Sequence, residues 1–356
     1  MVDAPAANAT IRLVDGELTP VDAVEGRSLD VAATLNRLLN SASRELADGA
    51  LDLVMIPVQP TVTDASALME QVRNLLASPL MINAFDPVTN QTITWSVPVE
   101  QWSQWLTTQN NPGSLTGVTL MLDRAALVGY VGRQNNGLTD ARFVDIDKSI
   151  AAIQSAVAAG RSRATFRVYH QPTSYTVQPG DTLGTLSWKF GFPMFRLMNA
   201  NRGIDMEALS VGQAITIPSK DDLLPLPIVQ NKRIVVSISK QHMWVYENDQ
   251  EKWSWVASTG IPDSPTLPGV YQVQSHEQNA YAGNWNLWMP HFMGIYDAVP
   301  GFTNGIHGFP TRDGYGILWE NSLGHPVTFG CILISSQNAA ALYNWAENGV
   351  VIEIQR

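Results

Sequence analysis

The strongest constraint on the fold is a succession of short β-type segments that begins at Lys232. Runs such as KRIVVSISK, HMWVYEND, KWSWVAST, GVYQVQSH and GVVIEIQ are rich in β-branched and aromatic residues, and turn residues separate them. Strands at such short spacing predict a β-sandwich or barrel-like domain over residues 232–356. One helix is predicted in this region, at NAAALYNWAEN, residues 338–348.

Length and charge narrow the class of protein. A chain of 356 residues predicts two or three domains. Its net charge of −10 and its lack of basic blocks argue against nucleic acid or an anionic membrane as a partner. No apolar run is long enough to span a membrane, and the start MVDAPAANATIRLVDG lacks a signal segment. We therefore expect either a cytosolic protein or one whose export or anchor segment lies outside this sequence.

The only cysteine, Cys331, stands in HPVTFGCILIS. A single cysteine excludes an internal disulfide and a cysteine-based metal cluster. It is either a small buried hydrophobic residue or a nucleophile with a histidine in reach. His307, in NGIHGFP, is the candidate histidine, because flanking glycines allow close approach of a ligand. Gly330 before the thiol suits backbone N–H groups that face a substrate carbonyl.

A weak internal repeat marks the N-terminal region, residues 1–172. The segments that begin LDVAATLNRLL and VDIDKSIAAIQ each predict an Asp near a helix start, a helix of small residues, a strand and then Gln-Pro-Thr. Between them we predict helices at 64–78 and 99–108, a hairpin around 82–97 and a strand at 117–122. The prediction is an α+β region that resembles the peptidoglycan-binding domains found ahead of some cell-wall enzymes, or a plain spacer.

Residues 173–219 form a sharper pattern of strand, helix, helix and strand. YTVQPGDTL, Asn199 and LSVGQAITIP carry a resemblance to the LysM domain. That family binds N-acetylglucosamine chains in a shallow groove between two loops, which implies glycan contacts here. The implied contacts are Gly180, Asp181, Thr182, Asn201, Arg202, Gly203 and Ile204. The alternative is that the Gly-Asp-Thr turn only caps a helix. Residues 220–231, with two prolines, predict a linker or an edge extension.

The C-terminal region resembles the L,D-transpeptidase catalytic domain of bacterial cell walls. STGIPDSPTLPGVYQV, WMPHFMGIYD, IHGFP and LGHPVTFGCILISSQNAAALYNWAENGVVIEI carry the resemblance in family order. His307 and Gly308 match the family's His-Gly, and Thr328, Gly330 and Cys331 match most of its Ser/Thr-His-Gly-Cys. Phe329 replaces the second motif histidine, Leu333 replaces a polar residue after the cysteine, and the segment between the two motifs is longer than usual.

The resemblance implies that Cys331 attacks a peptidoglycan stem peptide, with His307 as the base and a thioester as the intermediate. It implies no cofactor. The catalytic set is then Cys331, His307, Gly330, Thr328 and Gly308. The expected substrate contacts are Phe329, Leu333, His325, His291 and Trp288. His325 is a rival base, and His291 is either a contact or a core residue.

Together these patterns predict a multidomain envelope protein: an α+β region, a LysM domain and a mostly-β transpeptidase domain. Its partners are stem peptides and N-acetylglucosamine-containing glycan, outside the cytoplasm. Two rivals remain, a degenerate transpeptidase that binds the wall without chemistry and a structural surface protein.

Overall fold

The computed structural model describes residues 2–14, 17–45, 49–111, 113–114 and 116–356. The chain forms two compact units, the first comprising residues 1–85, 92–137 and 144–167 and the second residues 86–91, 138–143 and 168–356. None of the helices in the described ranges combines the length and the hydropathy that crossing a membrane requires.

The N-terminal region mixes helices with short strands. The helices are α1 (Val31–Glu45), α2 (Ser66–Leu75), α3 (Val99–Trp102), α4 (Arg124–Asn136) and α5 (Ile146–Ala158). The strands are β1 (Thr10–Val14), β2 (Glu17–Val21), β3 (Gly26–Leu29), β4 (Met55–Val58), β5 (Leu80–Asp86), β6 (Gln91–Val97), β7 (Leu106–Asn110), β8 (Val118–Leu122), β9 (Arg142–Val144) and β10 (Arg163–His170). Four of them form a sheet in the order β6-β5-β10-β9, and β5 runs parallel to β10.

Both copies of the repeat fold as a helix followed by a strand. Asp30 accepts a hydrogen bond from the amide of Ala33 at the start of α1, and Asp145 accepts one from the amide of Lys148 at the start of α5. A side-chain acceptor satisfies an amide that the first turn leaves unpaired. The predicted helix at 99–108 is wrong beyond Trp105, because β7 starts at Leu106.

Residues 173–217 fold as the predicted strand, two helices and strand. They are β11 (Thr173–Thr176), α6 (Leu183–Phe190), α7 (Met194–Ala200) and β12 (Ala214–Ile217). β11 and β12 pair antiparallel, with Tyr175 opposite Ile215. Gly191 ends α6 at φ +71°, and a Cβ there would lie 2.6 Å from the carbonyl oxygen of Pro268. The glycine therefore permits both the helix end and close packing against the C-terminal domain.

The predicted linker is packed rather than free. A short 3-10 helix spans Lys220–Leu223, and the side chains of Leu223 and Leu224 are buried. The ammonium of Lys220 donates to the carbonyl of Phe190, and burial lowers its pKa to about 8. The apolar residues of DDLLPLP supply the burial that holds this segment in place.

The C-terminal domain contains two sheets around one apolar core. Its elements are β13 (Val229–Ser237), β14 (His242–Glu247), β15 (Gln250–Val256), β16 (Gly269–Gln272), β17 (Ser275–Ala282), β18 (Leu287–Val299), β19 (Phe302–His307), β20 (Thr311–Arg312), β21 (Tyr315–Gly316), β22 (Ile332–Leu333), α8 (Ser336–Trp345) and β23 (Val350–Gln355). One sheet has the order β15-β14-β13-β23-β16. The other has the order β21-β20-β18-β19-β22, with β17 also paired to β18.

The second sheet positions the two residues that the sequence singled out. β22 runs parallel to β19, with Ile332 opposite Ile306 and Leu333 opposite His307. Cys331 immediately precedes β22, and His307 is the last residue of β19. Strand pairing thus brings together two positions that lie 24 residues apart in the sequence. The mostly-β class expected for this domain is confirmed.

Candidate active site in the C-terminal domain

Cys331 lies at the end of a loop that only glycine can complete. Gly330 has φ +106°, and a Cβ there would lie 2.6 Å from Nδ2 of Asn304. A larger residue would therefore strain the backbone and displace the amide. The Cys331 side chain is 9% exposed and packs with Ala280 and Phe292.

Two threonine hydroxyls fix the backbone on either side of the thiol. The Thr328 hydroxyl donates to the carbonyl of Cys331 over 2.6 Å and accepts a longer contact, 3.3 Å, from the amide of Gly330. The Thr266 hydroxyl donates to the carbonyl of Gly330 over 2.9 Å. Buried hydrogen bonds of this kind hold a loop in one conformation, since breaking them leaves unpaired polar groups.

A buried amide contacts the thiol. Sγ of Cys331 lies 3.8 Å from Oδ1 of Asn304, which suits a weak S–H···O hydrogen bond. Nδ2 of Asn304 donates to the hydroxyl of Tyr296 over 3.1 Å, and that hydroxyl also accepts the amide of Leu267. Burial raises the pKa of Tyr296 to about 12, so the phenol stays protonated at neutral pH.

The imidazole of His307 is held in one tautomer. Its Nδ1 lies 2.7 Å from the carbonyl oxygen of Gly308. A carbonyl only accepts, so Nδ1 carries the proton and Nε2 has the lone pair. The Phe292 ring stacks near the imidazole, and burial lowers the pKa of His307 to about 4. The ring is therefore neutral at pH 7 and chemically competent to accept a proton.

Cys331 and His307 line the same cavity of about 140 Å³. Most of the other lining side chains are apolar, namely Ala282, Trp285, Leu287, Met289, Phe302, Pro310, Ile317, Leu318, Val327 and Phe329, with Thr303, Thr328 and Arg312 as the polar ones. Such surroundings disfavour a free thiolate. Burial raises the pKa of Cys331 to about 11, so the resting cavity is lined by a neutral thiol and a neutral imidazole.

Among the residues that the structure describes, Arg312 is the only permanently charged one that lines this cavity. Its Nε donates to the carbonyl of Trp285 over 3.1 Å. In the described part of the chain its terminal nitrogens have no hydrogen-bond partner, so they are available to an anionic group of a ligand. Arg312 lies in the long segment between the two motifs and is not among the residues predicted for the site.

The loops of residues 178–182 and 201–204 form the other predicted site. The carboxylate of Asp181 accepts hydrogen bonds from the hydroxyl of Tyr175 and the amide of Gln178, and Thr182 caps α6. The turn that begins at Gly180, which has φ +84°, is thus a cap in this structure. Arg202 and Gly203 are exposed, whereas Ile204 packs against the core.

Asn201 is an exception among the predicted glycan contacts. It is 5% exposed, its Nδ2 donates to the carbonyls of Leu197 and Thr216, and its Oδ1 accepts the amide of Thr216. These bonds join the end of α7 to β12 and use the whole side chain. The Asn201 side chain thus serves the fold, and a contact between Asn201 and glycan stays a prediction that this geometry does not support.

Comparison with protein-family models identifies both C-terminal parts of the chain. Residues 231–354 match the L,D-transpeptidase catalytic domain, YkuD, and residues 175–218 match the LysM domain. The chain contains a LysM domain followed in sequence by an L,D-transpeptidase catalytic domain. These two family resemblances inferred from the sequence are thus confirmed, whereas the resemblance of residues 1–172 to peptidoglycan-binding domains stays a prediction.

Individual proteins also show similarity to this chain. A Bacillus licheniformis protein provisionally named L,D-transpeptidase YkuD is 26% identical over 182 residues, which are 51% of this chain and 97% of that protein. A mutant L,D-transpeptidase of Enterococcus faecium is similar in structure, with 16% identity, a TM-score of 0.34 and coverage of 80% of this chain and 98% of its own. An L,D-transpeptidase from Mycobacterium smegmatis has 20% identity and a TM-score of 0.31. That match covers 41% of this chain. It covers 65% of the Mycobacterium smegmatis chain, which is less than two thirds of its length.

The transpeptidase domain brings together only some of the predicted substrate contacts. Phe329 is 45% exposed, lines the cavity and stacks on Trp285 with centroids 5.6 Å apart. His325 is exposed and lies outside the cavity lining. Leu333 is 0% exposed, so its side chain cannot contact a substrate as the domain stands.

His291 and Trp288 also lie outside the cavity lining. His291 has φ +53°, its Nε2 lies near the amide of Gln278 and its ring packs edge-on against Tyr343. Trp288 is partly exposed and packs against Tyr281. Neither residue contacts the thiol cavity in this structure, so both predicted contacts lack support from its lining.

Proposed function

We propose that the transpeptidase domain is a cysteine acyltransferase that forms a thioester with a peptidoglycan stem peptide. The observation that carries this proposal is the shared cavity. The thiol of Cys331 and the imidazole of His307 face one small apolar space from neighbouring strands, and the Gly308 carbonyl fixes the imidazole tautomer. A thiol and an oriented base in one cavity are the minimum for nucleophilic acyl transfer.

The proposed reaction has two halves. Sγ of Cys331 bonds to the carbonyl carbon between the third and fourth stem residues, while Nε2 of His307 takes the thiol proton. The imidazolium then gives that proton to the leaving amine, the C–N bond breaks and D-alanine departs. In the second half an amine of another stem attacks the thioester, loses a proton to Nε2, and the sulfur leaves and is reprotonated.

Proton transfer during attack fits the protonation states of the site. Because the pKa of Cys331 is about 11 and that of His307 about 4, a resting thiolate–imidazolium pair is disfavoured. The base therefore removes the proton as the C–S bond forms. The amide of Gly330 contacts Thr328, which leaves the amide of Cys331 as the better candidate for an oxyanion donor.

Arg312 supplies a partner for the substrate carboxylate. A planar guanidinium binds a carboxylate through two parallel hydrogen bonds. Its position in the cavity lining fits a role that Leu333, fully buried, does not fulfil. The LysM domain would hold the enzyme on the glycan of the same polymer, and such a substrate would require a location outside the cytoplasm.

Substitution of the nucleophile tests the proposal directly. Cys331→Ala is expected to abolish D-alanine release from a tetrapeptide stem while leaving the circular dichroism spectrum unchanged. Incubation with a carbapenem should add the mass of the drug to Cys331 in the unsubstituted protein only. Wild-type release by Cys331→Ala would refute the acyltransferase.

A second candidate is a wall-binding protein without turnover. Its support is that Phe329 stands where the family motif has histidine and that burial raises the pKa of Cys331 to about 11. No carbapenem adduct and no D-alanine release from a folded protein that still sediments with peptidoglycan would favour this candidate.

A further inference from the structure

The outer face of the five-stranded sheet carries a groove distant in sequence from the thiol motif. Its volume is about 440 Å³, within the range of about 300–1,000 Å³ typical of small-molecule sites. The lining residues, here called the outer-sheet groove, are Asn90, Gln230, Asn231, Lys232, Arg233, Val235, Trp244, Tyr246, Asp249, Glu353 and Gln355.

Strand register sets two aromatic rings along one side of the groove. On β14, Trp244 lies opposite Val235 and Tyr246 lies opposite Arg233 of β13. On the other side of β13, Val235 lies opposite Glu353 of β23. Alternate residues of a strand share a face, so the side chains of Trp244 and Tyr246 are neighbours on the same face of β14. Val235 lies opposite Trp244 and also lines the groove. Both rings are half-buried.

Hydrogen-bonding groups without partners surround these rings. In the part of the chain that the structure describes, the side chains of Asn90, Gln230, Asn231 and Asp249 make no hydrogen bond. By contrast, Arg233 is engaged by Glu353, at 2.6 Å, and by the carbonyl of Pro87. The side-chain amides and the carboxylate therefore present both donors and acceptors to a ligand.

The charge of the groove is balanced. The groove is lined by two cationic residues, Lys232 and Arg233, and by two anionic ones, Asp249 and Glu353. The ammonium of Lys232 donates a hydrogen bond to Glu347. A balanced site offers no net attraction to phosphates or polyanions. Flat aromatic rings beside free amides suit a ligand that has apolar faces and a rim of hydroxyl or amide groups.

We propose that the outer-sheet groove binds a segment of an uncharged glycan, with Trp244 and Tyr246 against the sugar faces. The amides of Asn231 and Gln230 and the carboxylate of Asp249 would bond to the sugar hydroxyl and acetamido groups. This site is separate from the LysM loops and does not depend on Cys331. It would hold the polymer on a second face of the same compact unit.

Hydrogen–deuterium exchange on the full chain with the hexamer of N-acetylglucosamine tests this assignment. We expect slower exchange in peptides that cover β13 and β14, beyond any change in the LysM loops. Trp244→Ala should raise at least tenfold the hexamer concentration that gives half-maximal slowing in β13 and β14. The LysM response should be unchanged.

Matched variants separate binding from unfolding. Trp244→Phe keeps an aromatic ring and should retain part of the protection, whereas Trp319→Ala removes an exposed indole outside the groove and should behave as wild type. Unchanged exchange in β13 and β14 at saturating hexamer would overturn the proposal. Equal protection in Trp244→Ala would overturn it as well.

Discussion

Sγ of Cys331 lies 3.8 Å from Oδ1 of Asn304, and the same amide donates through Nδ2 to the hydroxyl of Tyr296. In this orientation Oδ1 of the amide accepts a hydrogen bond from the thiol, and the amide donates no hydrogen bond to a thiolate. A half-turn of the amide reverses this arrangement. Nδ2 would then donate to the sulfur, and the Tyr296 hydroxyl, which can also donate, would bond to Oδ1.

The first prediction concerns this amide. Asn304→Asp removes the donor and adds a negative charge beside the sulfur, so the rate of Cys331 alkylation by iodoacetamide should fall more than tenfold near pH 8. In Asn304→Ala the alkylation rate should fall less, because this substitution adds no charge. Tyr296→Phe removes the partner of the turned amide and should raise the pKa read from the pH dependence of the alkylation rate. If Asn304→Asp reacts as fast as wild type, the amide does not position the thiol.

The second prediction separates the two histidines near the thiol in sequence. His307→Ala should lower D-alanine release by about a hundredfold or more, since loss of a general base costs about that much. His325→Ala should release D-alanine at the wild-type rate, because His325 is exposed and outside the cavity lining. A larger loss in His325→Ala would reverse the assignment of the base.

Local pattern predicted much of this architecture, and long-range pairing accounts for most of what it missed. Strands β13, β14, β15 and β23 and helix α8 follow from β-branched alternation and helical periodicity. β17 and β18 escaped prediction because their pairing, Ser275 opposite Gly294, is set by cross-strand contacts and not by propensity.

The site was predicted to a similar extent. The thiol motif and His-Gly pointed to Cys331 and His307 because they are local signals. Asn304 and Tyr296 carry no such signal, since an asparagine in a strand becomes informative only when folding places its amide against sulfur. Asn201 shows the reverse case, because the sequence does not reveal that its side-chain amide bonds to the backbone of the domain itself.

The third prediction concerns recognition of the stem carboxylate. Arg312→Gln should raise the KM for a tetrapeptide stem about tenfold to a hundredfold, because a charged hydrogen-bonded pair contributes about 1.5–3 kcal/mol. Arg312→Lys keeps the charge but lacks the planar pair of donors, so its KM should lie between those of wild type and Arg312→Gln. With a stem whose terminal carboxylate is amidated, wild type and Arg312→Gln should have equal KM. A remaining difference would mean that Arg312 supports the cavity without binding the carboxylate.

The fourth prediction concerns stability and pH. His170 lies 3.4 Å from Asp86 and 3.7 Å from Asp221. Burial by itself lowers the pKa of His170, but the nearby carboxylates of Asp221 and Asp86 outweigh it and raise the pKa from 6.5 to about 9. Folding therefore favours the protonated ring. The stabilisation, about 3 kcal/mol, is complete below pH 6.5 and is lost as pH rises through 9.

Unfolding by urea at several pH values measures this effect. The free energy of unfolding should fall between pH 6.5 and 8 in the wild type and should be flatter in His170→Gln. Above pH 8 Lys220 acts in the opposite direction, since its folded pKa of about 8 lies below 10.5. An equal slope in both proteins between pH 6.5 and 8 would show that the His170 charge does not stabilise the fold.

The last prediction concerns Phe329, which stands where the family motif has a histidine. Its ring is half-exposed and stacks on Trp285 at the cavity wall, two residues from the nucleophile. Phe329→His would place an imidazole there that is protonated below about pH 6.5. A positive charge beside the sulfur favours the thiolate, so alkylation of Cys331 should be severalfold faster than in wild type at pH 6. The advantage should vanish at pH 9, where the new ring is neutral.

Phe329→Leu opens the same wall without adding charge and should show no pH-dependent gain. If Phe329→Leu gains as much as Phe329→His at pH 6, access to the cavity rather than charge limits the thiol. If neither variant gains, the Phe329 ring serves packing against Trp285 and does not tune the nucleophile.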